Sequence, residues 1–187
     1  MARYTIFSTR RSFSALKSDG SVVSWGQDLE GGDNSLVAEQ LTSDVVNLFS
    51  TGTSMAALKS DGSVVTWGDP AFGGDSSSVS ALLQSGVVSI SSNDFAFAAV
   101  KSDGSVVTWG KAAFGADSSA VAAELSGGVL TVVANEAAFA AVKSDGAVVT
   151  WGDEDCGGDS AAVAAHLSRG VRTVVGTSAT FAAVKFD

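Results

Sequence analysis

Lys-Ser-Asp-Gly stands at residues 17–20, 59–62, 101–104 and 143–146, each copy 42 residues after the one before, and Lys185-Phe186-Asp187 repeats its beginning. Trp25, Trp67, Trp109 and Trp151 keep the same period, each followed by Gly. A period held without insertion or deletion constrains the fold more than any composition does, because every unit must repeat one local structure. The chain therefore reads as a single repeat domain, 1–187, with units at 1–43, 44–85, 86–127 and 128–169 and a partial unit at 170–187. Nothing in it marks a linker or a second domain.

One unit is legible residue by residue. In the third, Gly86-Val87-Val88-Ser89-Ile90 has the alternation and β-branched content of a strand. Phe97–Lys101 and Ser105–Trp109 read as two more, joined by Ser102-Asp103-Gly104. Asp-Gly between apolar runs marks a hairpin, since Gly takes φ > 0 without steric cost. After Trp109-Gly110 comes a loop, then a stretch in which Asp117 reads as the N-cap of a short helix with Val121 and Leu125 on its buried stripe. The pair returns as Val37/Leu41, Val79/Leu83 and Val163/Leu167.

An antiparallel meander of three strands leaves the chain at the wrong end to start the next unit, so the helix must carry it back. Nine helical residues span roughly 13 Å and five strand residues roughly 16 Å, so the lengths agree. A small, Ala-rich sheet cannot bury both faces alone and must stack on its neighbours. The expected fold class is all-β with short helices: a β-propeller-like array of three-stranded blades, closed or an open arc, with a linear repeat solenoid as the alternative. In either case the partial fifth unit leaves strand 181–185 with an unpaired edge, which the first unit or another chain, including a second copy in a homo-oligomer or larger assembly, is expected to cover.

The run Gly86–Ile90 followed by Ala99-Val100-Lys101-Ser102-Asp103-Gly104-Ser105-Val106-Val107-Thr108-Trp109-Gly110 resembles the blade pattern of the regulator of chromosome condensation family, in particular the short-blade branch that includes the propeller-type β-lactamase inhibitor protein. The resemblance covers essentially every residue and implies a propeller. Three departures stand out. The family's His at the start of the second strand is Ser12, Ser54, Ala96, Ala138 and Thr180; its Gly-Gln-Leu-Gly after Trp-Gly is replaced by Gly73-Gly74-Asp75-Ser76 and equivalents; and its seven blades compare with four and a part. Nucleotide exchange on a small GTPase is implied only by the wider family.

Composition then excludes function classes. Eleven Lys and Arg against 20 Asp and Glu give a net charge of −9, which repels a phosphate backbone, so no nucleic-acid partner is expected. No apolar run approaches the ~20 residues of a membrane-spanning helix, and no signal-peptide pattern opens the chain, so a soluble protein of unassigned compartment is expected. No cofactor or metal is expected either. Asp19, Asp61, Asp103 and Asp145 supply one carboxylate per turn, where a calcium ion takes six or more oxygens. His166 and Cys156 are the only residues of their kinds, and nothing gives them a third catalytic partner. The chain is not expected to be an enzyme. The lysines beside the turns read as a solvated rim, and the four Trp as packing between blades.

Comparison among the repeats points to the candidate site. The Asp-Gly turn scarcely changes, whereas two loops vary freely. One joins the first and second strands: Thr9-Arg10-Arg11, Thr51-Gly52-Thr53, Asn93-Asp94-Phe95, Asn135-Glu136-Ala137 and Thr177-Ser178-Ala179. The other follows Trp-Gly and includes Phe72 and Phe114. Both emerge at the end opposite the turns. Variable chemistry on one rim of a uniform scaffold is what a binding face needs. The expected function is therefore a non-catalytic protein-binding scaffold, or accessory subunit of a larger complex. Arg10, Arg11, Phe72, Asn93, Asp94, Phe95, Phe114, Asn135 and Glu136 are its candidate contacts. The alternative is a carbohydrate-binding propeller using Phe72, Phe95 and Phe114.

Overall fold

The computed structural model describes residues 3–186. Each of the first four units folds into a three-stranded antiparallel meander. Unit one holds β1 (Tyr4–Ser8), β2 (Ser12–Lys17) and β3 (Val22–Gly26); unit two, β4 (Val45–Ser50), β5 (Ser54–Lys59) and β6 (Val64–Gly68). Unit three holds β7 (Val87–Ser92), β8 (Ala96–Lys101) and β9 (Val106–Gly110); unit four, β10 (Val129–Ala134), β11 (Ala138–Lys143) and β12 (Val148–Gly152). Unit five is the pair β13 (Val171–Gly176) and β14 (Phe181–Lys185).

The Asp-Gly hairpin serves two neighbours at once. Asp103 Oδ1 accepts from the Ser105 N–H at 2.9 Å and from its hydroxyl at 2.6 Å, fixing the turn. Gly104 sits at φ 78°, and a Cβ there would lie 2.6 Å from the Gly128 nitrogen. The next unit passes that close because the Val129 N–H donates to the Gly104 carbonyl at 3.0 Å. Glycine is thus required by conformation and by contact.

The core lies between units. Ala96, Ala98 and Ala99 of β8 are fully buried, and their small side chains let adjacent sheets approach. Phe97 stacks on Trp109 with ring centroids 5.1 Å apart, and the pair packs among Ala56, Leu58 and Leu83 of unit two. Trp67, Trp109 and Trp151 each donate an indole N–H to a carbonyl 36 residues earlier, on Gly31, Gly73 and Gly115. Trp25 corrects the expectation of four core tryptophans. Among the described residues no unit packs against its outer side, and it is 46% exposed, stacked on Phe13.

The expected return helix is also corrected. Residues 35–41, 77–82 and 119–126 form 3₁₀ turns, and unit four adds a single α-helical turn, α1 (Ala164–Leu167). Nine residues are too few to sustain an α-helix without tertiary support, and a 3₁₀ rise of about 2.0 Å per residue covers the return with fewer residues. The caps fall one residue later than read: Asn34, Ser76, Ser118 and Ser160 are the N-caps and make no side-chain cap bond, while Asp33, Asp75, Asp117 and Asp159 just before them each accept from the N–H two residues on. Leu41, Leu83 and Leu125 are buried as the spacing predicts.

The lysines are more than a solvated rim. Lys59, Lys101, Lys143 and Lys185 each reach back 19 residues to a carbonyl at the end of the previous return segment: Gln40, Leu82, Glu124 and His166. A cation there meets the unsatisfied carbonyls of a helical end.

Successive first strands β1, β4, β7, β10 and β13 adjoin one another, and the loops that follow them converge on one pocket of about 460 Å³. A linear solenoid would spread five such loops over some 40 Å at the ~10 Å spacing of packed sheets, too far to line so small a space. The units therefore form an arc about a shared axis. Around that axis runs a chain of backbone hydrogen bonds: Arg10 N–H to Gly52 O, Gly52 to Asp94, Asp94 to Glu136, and Glu136 to Ser178. Among the described residues, no hydrogen bond joins unit five to unit one, and 182–186 are exposed. The first unit therefore does not cover the edge of β14.

Candidate functional site: the loop rim

Both variable loops lie at the same end, fastened to each other within every complete unit. Thr9 Oγ1 donates to the Glu30 carbonyl and Thr51 Oγ1 to that of Phe72; the Asn93 and Asn135 amides donate to those of Phe114 and Cys156. Asn93 and Asn135 are 6% and 8% exposed, and each Oδ1 accepts two further backbone N–H groups. Their polar atoms are spent on the loop, so they are corrected from candidate contacts to loop staples. The repeat comparison does carry that signal, since the position is Thr or Asn in every unit and can always bond its own backbone.

The next position points at the axis: Arg10, Gly52, Asp94, Glu136 and Ser178 all line the axial pocket. Arg10 Nη2 lies 2.5 Å from Asp94 Oδ2, an ion pair that spans the whole of unit two. Gly52 makes the crossing possible, since a Cβ there would stand 3.1 Å from the Arg10 Nε. Glu136 is exposed beside this pair.

One position further on, the side chains turn outward to the loop after Trp-Gly. In unit one Arg11 faces Glu30 at 3.5 Å. In units two and three Phe72, Phe95 and Phe114 form a half-buried cluster, with Phe95 centred 5.9 Å from Phe72 and 4.3 Å from Phe114. Lys111 Nζ sits 5.1 Å from the Phe72 ring centre and 5.6 Å from that of Phe114. In unit four the pair becomes Ala137 and Cys156. Desolvation raises the Cys156 thiol above its usual pKa, with Asp153, Glu136 and Asp155 adding to the effect, so the thiolate is disfavoured.

The structure also places residues that the sequence reading missed. β4, β7 and β10 each carry a bulge near their start, which turns out Val46, Val88 and Leu130, all more than half exposed. They lie at the Asp-Gly end, so that end is not purely polar. The signal was the apolar pair opening each first strand, of which only one member can be buried.

Four meanders and a partial fifth, packed about one axis through tryptophan seats, define a propeller-type repeat protein with three-stranded blades. No protein-family model and no curated protein matches the sequence. Solved structures do match it: human WBSCR16, with 17% identity over 81% of this chain and 47% of that one, TM-score 0.56; Prp20p of Saccharomyces cerevisiae, described with its binding properties to Gsp1p and histones, with 18% identity over 81% and 44%, TM-score 0.55; and the CRINKLY WD40 ectodomain of the Arabidopsis thaliana receptor kinase ACR4, with 21% identity over 81% and 53%, TM-score 0.51. The chain spans about half the length of these neighbours. Prp20 is the yeast RCC1, so the likeness supports an RCC1-like repeat fold.

Proposed function

We propose that this chain is a non-catalytic protein-binding scaffold, or an accessory subunit of a complex, whose binding face is the loop rim. The observation that carries the reading is the Phe72–Phe95–Phe114 cluster, half-buried and flanked by Lys111 on one side and by the Arg10–Asp94 pair on the other. Aromatic anchors ringed by charge are the usual anatomy of a specific protein interface. That Prp20 is described with protein partners, Gsp1p and histones, is consistent with this use of the fold.

Carbohydrate binding has less support. The three rings pack against one another at 31° and 43° with Lys111 near two of them, so little flat ring face remains for a sugar. Affinity capture from the source cell extract, read by mass spectrometry, tests the proposal when run beside the triple variant Arg10→Ala, Asp94→Ala, Phe95→Ala. A protein retained by the wild type and lost with the variant is the expected result. Retention of glycans on an array, with no protein sensitive to the variant, would overturn it.

A further inference from the structure

Unit one breaks the repeat at two places on its outer flank. Leu29 stands where the other units have Ala71, Ala113 and Asp155, and Leu36 where they have Ser78, Ala120 and Ala162. Both leucines face solvent, 73% and 98% exposed. Their place in the unit dictates that exposure, because Ala71, Ser78, Ala113 and Ala120 are exposed as well, in units packed on both sides. The fold gains next to nothing from a leucine so placed. Single exposed leucines are ordinary, but these two converge. With Val37, Pro70 and Trp67 they line one groove of about 420 Å³ between units one and two. Asp28, Asp33 and Asp75 line it too, and no Lys or Arg does. Among the described residues none of these carboxylates has an ion-pair partner. The N–H groups of Ser35 and Ser77 hold Asp33 and Asp75 below the ordinary aspartate range, so both are charged at neutral pH.

We propose that this groove docks a short segment of a partner protein in which a large apolar side chain stands beside Lys or Arg. The apolar side chain covers Leu29 and Leu36. The cations meet Asp28 and Asp33 on the bank formed by unit one, and Asp75 on the bank formed by unit two. Burial of the leucine surface supplies affinity. The unpaired carboxylates supply selectivity, since they repel an acidic segment and find no counter-charge on a neutral one. Charge also argues against a second copy as the occupant, because each chain carries a net −9. Leu29 belongs to the loop after Trp-Gly, so the groove begins at the loop rim and runs onto the flank. The inference rests on the scaffold reading for its class of partner, but it uses none of Phe72, Phe95 and Phe114.

The test uses the full chain and a blocked synthetic peptide, Gly-Arg-Phe-Arg-Gly, with binding read from amide and indole shifts in an NMR titration. Saturable shifts at Leu29, Leu36, Val37 and the Trp67 indole are expected. Gly-Glu-Phe-Glu-Gly and Gly-Arg-Ser-Arg-Gly are each expected to bind more weakly by about tenfold or more. The double variant Leu29→Ala, Leu36→Ser installs the residues that unit two carries at these positions. It is expected to weaken binding similarly and to leave the urea midpoint unchanged. No shift with any peptide, equal binding of the Glu peptide, or shifts that persist in the double variant would overturn the proposal. So would a dimer mass by light scattering that the double variant converts to a monomer, since the groove would then belong to a second copy. Each of these failures leaves the loop-rim reading standing, because the capture experiment turns on Arg10, Asp94 and Phe95, which are unaltered here.

Discussion

Ser105 governs how readily Asp103 takes up a proton. Its hydroxyl and then its N–H hold the carboxylate below the ordinary aspartate range. The same arrangement lowers Asp19, Asp33, Asp61, Asp75 and Asp117 through their own serines two residues on. A carboxylate with a depressed folded pKa contributes stability that is complete above the unfolded value and lost as pH falls through the folded one. The urea midpoint is therefore expected to hold steady from pH 7 to 5 and to drop below about pH 4. Ser105→Ala should move the Asp103 titration upward in an NMR pH series; an unmoved titration would contradict the assignment. Tryptophan gives a second contrast. Trp109→Ala, 3% exposed, should cost about 3–5 kcal/mol, and Trp25→Ala distinctly less, as denaturant midpoints will report. The Asp-Gly turn could be read from sequence because its chemistry is local. The lysines could not, because their partners sit 19 residues back on another unit.

At the scale of elements, strands were legible and the return segment only in part. Strands β7, β8 and β9 fall within two residues of the runs read from alternation. The return segment has helical spacing and an Asp one residue before its N-cap, but its length and its anchors favour 3₁₀ geometry. Gly74 presses on the Gly68 carbonyl, where a Cβ would stand 2.3 Å away, and Leu83 is fixed in the core. Sequence spacing does not encode that span. The turn that joins units three and four gives the sharpest element-level test. Gly104→Ala places a side chain at φ 78° and against the Gly128 backbone, so a loss of more than about 1 kcal/mol is expected. Exchange should quicken at Val129, whose N–H bonds the Gly104 carbonyl. Unchanged exchange there would mean the two units are not coupled through the turn.

For the whole molecule, the repeat period foretold a stack, and the structure adds its curvature, its axial pocket and its two unlike ends. Of the rim, the sequence revealed which loops vary and that they share an end. It did not reveal that Asn93 and Asn135 are consumed within the loop, nor that Arg10 crosses a unit to reach Asp94, because both depend on how units face one another. The ion pair itself is exposed on both sides and should contribute about 0–1 kcal/mol, so its loss leaves the fold intact. The claim that the loop rim is the protein-binding face is tested most directly by photo-crosslinking. A benzophenone amino acid is placed at position 95 on the rim or at position 102 beside the Asp-Gly turn, and both proteins are irradiated in the same source extract. Discrete protein adducts from position 95 and none from position 102 are the predicted result; adducts from position 102 alone would contradict it.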